Sequence, residues 1–170
     1  MENKKTILRV FFDNPIKKFH IREISRITKL NPNTALNILK ILEKENLIKK
    51  VKMKHIVEVT ANIDEKFKQE KRVDNLIKLY KSGIIDYLIK EFHPLAISVL
   101  GSYSTGEDIE SSDIDIVVIS KEEKELNLSK FEKVLSRKIH LIVTEYKSIS
   151  EEFYLNLING IVLYGYLDKK

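Results

Sequence analysis

The sequence contains no cysteine, which excludes both a disulfide framework and a thiolate zinc site. It also lacks a long apolar run. The first twelve residues hold an apolar stretch with a charge inside it, and no small-residue cleavage site follows. We therefore expect neither a secretion signal nor a membrane span, and we expect a cytoplasmic protein.

Charge is divided unevenly along the 170 residues. Residues 1–62 hold fourteen Lys/Arg and six Asp/Glu, a net charge of +8. Residues 63–170 hold sixteen Lys/Arg and nineteen Asp/Glu, a net charge of −3, so the two parts sum to the formal +5. A chain of this length with 43% hydrophobic residues is suited to two small cores. The basic part favours a phosphate-backbone partner such as DNA.

Residues 20–48 have the pattern of a helix-turn-helix. Isoleucines at 21, 24 and 27 follow one helical face, Asn31-Pro32 provides an N-cap and an N1 proline, and leucines at 36, 39 and 42 mark the next helix over 33–45. Residues 46–59 then predict a strand, a basic turn and a second strand. This pattern resembles winged helix-turn-helix regulators, and Leu42-Glu43-Lys44-Glu45-Asn46-Leu47-Ile48 fits the phrase that commonly ends their recognition helix, with Asn46 as the turn residue.

The resemblance implies that residues 1–62 form a winged helix-turn-helix domain that binds double-stranded DNA. Side chains on the second helix would face base edges in the major groove, and lysines there and in the wing would contact phosphates. The expected base contacts are Asn33, Thr34 and Asn37, and the expected phosphate contacts are Lys40, Lys50, Lys52 and Lys54. A winged helix can instead mediate protein contacts, and a lysine-rich face can be only a solvated surface. Because regulators of this kind often dimerise on two half-sites, we expect a homodimer.

Residues 63–91 are predicted to connect the two halves as helices. The stretch over 64–80 is strongly charged and lacks Gly and Pro, and Ser82-Gly83 interrupts the pattern before an apolar helix over 84–92. The remaining residues, 92–170, predict an α+β order around a small mixed sheet: strands over 95–100, 113–119 and 138–144, and helices over 128–136 and 149–159.

The residues that are suited to catalysis or ligand binding lie at and between the first two of these strands. An apolar run ends in Gly101-Ser102, a polar loop follows, and Asp113 and Asp115 open the next apolar run. Alternate residues of a strand share a face, so both carboxylates can hold Mg²⁺ against a triphosphate, while Gly101 allows close approach of the backbone and Ser102 adds a hydroxyl and an N–H. The competing interpretation is that these Ser and Asp residues only make local backbone hydrogen bonds.

This Gly-Ser…Asp-x-Asp signature resembles the polymerase-beta-like nucleotidyltransferase superfamily, in particular its minimal nucleotidyltransferase domains. The resemblance covers about residues 92–166, and the tail over 157–165 is similar to the closing segment of those domains. It implies nucleotide binding by Gly101 and Ser102, metal binding by Asp113 and Asp115, Mg²⁺ or Mn²⁺ as cofactor, ATP or another NTP as substrate, and a separate HEPN-type protein as a partner. The predicted activity is transfer of a nucleoside monophosphate, such as AMP, to a hydroxyl of a protein or small molecule.

One position departs from the family. Its third carboxylate falls on a later strand, where this sequence has His140. His140 can accept a proton or bind a transition metal, and we include it among the catalytic candidates. Glu145, at the far end of the strand, is another candidate for the role. The alternative is a DNA-binding regulator whose transferase-like domain only binds nucleotide or dimerises.

Overall fold

The computed structural model describes residues 2–53, 56–122 and 124–168. It divides into two compact units, Met1–Lys71 and Arg72–Lys170. The division lies inside a helix that begins at Glu65 and ends at Ser82. We describe each unit separately.

The first unit contains three helices before that long helix, together with a small antiparallel sheet. Its elements are α1 (Glu2–Asp13), β1 (Phe19–His20), α2 (Ile21–Thr28), α3 (Pro32–Lys44), β2 (Ile48–Met53) and β3 (Ile56–Ala61), followed by α4 (Glu65–Ser82). The strands are ordered β1-β3-β2, and both pairings are antiparallel. The predicted helices and both predicted strands are therefore present, the basic turn at residues 54 and 55 lies outside the described residues, and α1 and β1 were not anticipated.

Two local features place α3. The Asn31 side chain accepts a hydrogen bond from the backbone N–H of Asn33 at 2.9 Å, which caps the helix as expected. At the other end Asn46 has a φ of 61°, a left-handed conformation that Asn tolerates better than most residues. Leu39 and Leu42 are fully buried in the core of the unit. Burial of this face leaves the opposite face of α3 to solvent.

The second unit is an α+β structure built on a four-stranded mixed sheet, as predicted. Its further elements are α5 (Ile84–Phe92), β4 (Ala96–Leu100), α6 (Gly101–Thr105), β5 (Ile114–Ile119), α7 (Ser129–Leu135), β6 (Ile139–Thr144), a 3₁₀ turn (Tyr146–Ser148), α8 (Glu151–Ile158) and β7 (Ile161–Gly165). The order is β6-β5-β4-β7, with β5 and β6 parallel and the other neighbours antiparallel.

Alternation along the strands separates the two faces of this sheet. Ile114, Ile116 and Val118 belong to one apolar cluster, which also includes residues of α4, α5 and α7. Val117 and Ile119 belong to a second cluster on the opposite face, together with Leu157 of α8. Odd-numbered residues of β5 therefore face the α8 side of the sheet.

The segment after Gly101-Ser102 is a correction to the predicted polar loop, because Gly101–Thr105 form the short helix α6. Serine and threonine have modest helix propensity, so sequence pattern favoured a loop. Their hydroxyls bond within the turn: Ser104 Oγ donates to the Gly101 carbonyl at 2.8 Å, and Thr105 Oγ1 donates to the Ser102 carbonyl at 3.2 Å.

Candidate functional site

A cavity of about 490 Å³ lies on the α8 side of the second unit's sheet, where β4 ends. Four of the predicted site residues line it: Gly101, Ser102, Asp115 and His140. Its other lining residues include Glu107, Asn156, Asn159 and Gly160, none of which was predicted. The structure thus brings together residues that are up to 39 positions apart in sequence, from 101 to 140.

Two features require glycine at position 101: its backbone conformation and the closeness of the Asp115 side chain. Its φ is +64°, and a Cβ at this position would lie 2.7 Å from Asp115 Oδ2. The pairing of Leu100 with Asp115 between β4 and β5 produces this proximity, because Gly101 is the next residue along the chain. Only glycine combines this conformation with such close approach of a carboxylate.

The carbonyl oxygen of Ser102 accepts several hydrogen bonds from the turn that follows it. It accepts backbone hydrogen bonds from Glu107 at 2.9 Å and from Asp108 at 3.2 Å, and the N–H of Gly106 also donates to it. These bonds fix the backbone of α6 and leave the partly exposed Ser102 side chain on the wall of the cavity.

Asp115 and His140 lie directly beside each other on the parallel strands β5 and β6. His140 Nδ1 is 3.1 Å from Asp115 Oδ1, and the two side chains are 63% and 38% exposed. Both therefore open to solvent and to the same cavity. The residues lining this cavity in the described part of the chain include the carboxylates Asp115 and Glu107 but no Lys or Arg, so the cavity attracts cations.

Asp113 precedes β5, whose pairing begins at Ile114, and its exposed side chain lines a different cavity. That cavity is about 510 Å³ in volume and also includes Arg137 and Lys138. Over residues 2–53, 56–122 and 124–168, no three or more His, Asp or Glu side chains form a group that could hold a metal ion. A metal here would therefore take its further ligands from substrate and water, as Mg²⁺ commonly does when it is bound with phosphates.

Glu145 is not part of the site. It follows the opposite end of β6 and lines a separate cavity with Phe92 and Tyr146. The five residue steps from His140 to Glu145 span about 16 Å in an extended backbone, too far for a side chain to reach back. This finding removes Glu145 as a substitute for the third carboxylate.

Sequence reasoning missed a buried polar network behind the site. Asn75 Nδ2 donates to the Tyr103 carbonyl at 3.0 Å and to Asp108 Oδ1 at 2.8 Å. Asp108 is 1% exposed and lies 3.8 Å, Oδ2 to Nη2, from Arg137, whose Nη1 donates to the Glu110 carbonyl at 2.7 Å. The network ties α4 and the segment between α7 and β6 to the segment between α6 and β5. A signal was available, because Asn75 lies four residues before the buried Leu79 and so shares its helical face.

In the first unit, α3 exposes the predicted DNA-facing residues. Asn33, Thr34, Asn37 and Lys40 are all exposed. Lys50 differs, because its ammonium pairs with the Glu43 carboxylate. Lys54 lies outside the described residues, and so does the side chain of Lys52.

Beside the start of α3, three exposed cations surround a cavity of about 520 Å³: Arg22, Arg26 and Lys29. No carboxylate is among its described lining residues. The acidic residue of α2, Glu23, is 3.0 Å from Lys17 Nζ. The hydrogen bond from Lys17 lowers the pKa of Glu23, so this carboxylate is charged at neutral pH and neutralised by its own partner.

The site thus combines a glycine at the start of a turn with a strand-borne carboxylate and a histidine around one cavity. Comparison with known families agrees: residues 81–164 match the model of the nucleotidyltransferase domain. Residues 81–164, just under half of the chain, are therefore similar to a nucleotidyltransferase domain, and this similarity supports a general function in nucleotidyl transfer.

Among solved structures, one similar chain is described as a "putative nucleotidyltransferase from Sulfolobus solfataricus". It is 20% identical, the match covers 55% of this chain and 86% of that chain, and the TM-score is 0.35. No curated protein matches the sequence. In the described residues, no helix has both the length and the apolar character that a membrane span needs.

Proposed function

We propose that the protein transfers a nucleoside monophosphate from a nucleoside triphosphate, such as ATP, to a hydroxyl group of a protein or small molecule. The observation that carries this proposal is the shared cavity of Gly101, Ser102, Asp115 and His140. The matched nucleotidyltransferase domain includes all four residues.

The electrostatics of the cavity support a metal-dependent reaction. A triphosphate would be repelled by the carboxylates of Asp115 and Glu107, since no lysine or arginine is among the described residues that line the cavity. A bound divalent ion removes this repulsion. We assign a divalent ion, Mg²⁺ or Mn²⁺, to Asp115, with Asp113 of the Asp-x-Asp pair as the second carboxylate; when bound, the ion would neutralise charge that develops on the phosphates.

The protein's own groups then position the substrate. Gly101 has no side chain, so phosphate oxygens can approach the backbone of α6 closely. The hydroxyl and N–H of Ser102 donate to these oxygens. His140, held beside Asp115, is the third polar group and the site's candidate for accepting a proton or binding the metal.

The test is transfer of label from ATP carrying α-³²P to the protein and to a host lysate, with Mg²⁺ or Mn²⁺ present. We expect Asp115→Asn to reduce labelling at least about 100-fold, because a lost metal contact removes several kcal/mol of charge stabilisation. Asp113→Asn tests the second carboxylate in the same assay. Asp86→Asn is the matched control, since Asp86 is an exposed carboxylate of α5, remote in sequence from the site. Labelling that is equal in wild type and Asp115→Asn would contradict the proposal.

We further propose that the first unit is a winged helix-turn-helix domain that binds double-stranded DNA. Support comes from the polar exposed face of α3 and from the cluster Arg22, Arg26 and Lys29 beside it. Base edges would meet Asn33, Thr34 and Asn37, and phosphates would meet the arginines, Lys29 and Lys40.

Salt dependence of DNA binding by the full chain tests this second role. We expect each lost phosphate contact, as in Lys40→Ala or Arg26→Ala, to reduce the slope of log K against log salt by about 1. Lys5→Ala, on the exposed face of α1, is the matched control and should leave the slope unchanged. Binding that is absent or independent of salt would count against a DNA-binding role.

The alternative function is a DNA-binding regulator with a silent transferase domain, and His140 in the position of a carboxylate favours it. His140→Asp separates the two possibilities in the labelling assay. A large gain of transfer would indicate a site that has lost turnover, whereas a loss would show that His140 contributes to transfer.

A further inference from the structure

Asp115 and His140 present one oxygen and one nitrogen donor to the same cavity. Asp115 Oδ1 and His140 Nδ1 are 3.1 Å apart, held by residues that are direct neighbours on parallel strands. Two adjacent ligands of an octahedral ion, each about 2.1 Å from the metal, are themselves separated by about 3.0 Å. The observed pair therefore already has the spacing of two neighbouring ligands of one metal ion.

The donor types determine which ion fits this pair. Mg²⁺ prefers oxygen ligands, whereas imidazole nitrogen suits divalent first-row transition metals, whose affinity for nitrogen sites rises from Mn²⁺ through Co²⁺ to Ni²⁺. We infer that Asp115 and His140 select a first-row transition metal ion over Mg²⁺. His140 Nδ1 and an oxygen of Asp115 would hold the ion, in place of the contact that they make with each other.

The exposure of the site to solvent determines how strongly it binds a metal ion. The two side chains are 38% and 63% exposed, and the described residues supply no third His, Asp or Glu to complete a metal group. Binding to the protein alone should therefore be weak, and phosphate oxygens of a nucleotide should strengthen it. This inference rests on the proposed function, because the same ion would serve nucleotidyl transfer.

The experiment compares Mn²⁺ and Mg²⁺ binding to the full chain without nucleotide. Loss of the free Mn²⁺ signal in electron paramagnetic resonance gives the Mn²⁺ affinity, and displacement by Mg²⁺ gives the ratio of the two affinities. We expect wild type to prefer Mn²⁺. His140→Ala should reduce Mn²⁺ affinity at least about 10-fold, as loss of groups at metal sites commonly does, with a smaller effect on Mg²⁺. His140→Asp should move the ratio towards Mg²⁺.

His20→Ala is the matched control. His20 is an exposed histidine that also faces a carboxylate, with Nε2 3.9 Å from Glu58 Oε1, but it lies in the first unit. Its removal should leave the ratio unchanged. No detectable Mn²⁺ binding by wild type, or the same ratio in wild type and both His140 variants, would overturn the inference.

A separate titration with an ATP analogue that carries a methylene between the α and β phosphates tests the proposed function. If the analogue binds in the presence of Mg²⁺ while the His140 variants leave the metal ratio unchanged, nucleotide handling stands and metal selection fails. If the ratio moves as expected while the analogue does not bind, metal selection stands and nucleotidyl transfer fails.

Discussion

Replacing Asn75 by alanine should destabilise the second unit more than any ordinary surface change. The Asn75 amide is 2% exposed and donates two hydrogen bonds, to the Tyr103 carbonyl and to the Asp108 carboxylate. Alanine removes the donor and leaves both acceptors buried without it. The segment between α6 and β5 would also lose the hydrogen bond that Asp108 accepts from α4.

The magnitude follows from the type of each bond. A buried hydrogen bond to a charged acceptor is worth about 1.5–3 kcal/mol and one to a neutral carbonyl about 1 kcal/mol. The expected loss for Asn75→Ala is therefore about 3 kcal/mol, a large fraction of the stability of a small domain. Asn156→Ala is the matched control, because Asn156 is exposed on α8 and its loss should change stability by less than about 0.5 kcal/mol.

Equilibrium urea unfolding of the full chain, followed by far-ultraviolet circular dichroism, measures the difference. The curve should be fitted with a transition for each unit, since two units need not unfold together. We expect only the transition of the second unit to shift. A loss below about 1 kcal/mol for Asn75→Ala would refute the reasoning, because it would mean that water replaces the amide without cost.

Three further outcomes follow from the structure. Gly101→Ala should destabilise the second unit by about 1–3 kcal/mol through its positive φ and its contact with Asp115, and isothermal titration should show weaker binding of Mg-ATP. Gly165→Ala should lower the melting temperature by several degrees, because its φ is +70° and a Cβ would lie 1.9 Å from a backbone carbonyl oxygen. The hydrogen bond from Lys17 lowers the pKa of Glu23 below its ordinary value of 4.5. The pairing therefore stabilises the fold fully at pH values above 4.5, and this stabilisation is lost as the pH falls through the lowered pKa. Glu23→Gln should therefore show a smaller loss of stability on acidification in urea unfolding, by less than about 1 kcal/mol because the pair is exposed; an unchanged pH profile would contradict the assignment.

Much of the fold could be predicted because its signals are local. The Asn31-Pro32 start of α3 and the apolar runs of β4 and β5 depend on neighbouring residues, and these elements appear where the sequence indicates. Gly101 was predicted from the close approach of phosphates, which stays a prediction; the structure adds a second reason for glycine there, its positive φ beside Asp115.

The parts that sequence did not reveal depend on distant contacts. Asn75 and Asp108 are 33 residues apart, and no local periodicity links them. The expectation that Asp113 and Asp115 share a face assumed that the strand includes both, but pairing of β5 begins only after Asp113. Lys50 was predicted to contact DNA, but its ammonium pairs with Glu43, which lies seven residues away on another element.

The parallel pairing of β5 and β6 has an evolutionary consequence. Position 140 faces Asp115 through the register of two strands, so the backbone holds whatever side chain the codon specifies in the same place. Histidine and aspartate codons differ by a single first base. One point mutation can therefore exchange a nitrogen donor for an oxygen donor beside Asp115 while the paired strands that support position 140 are left intact.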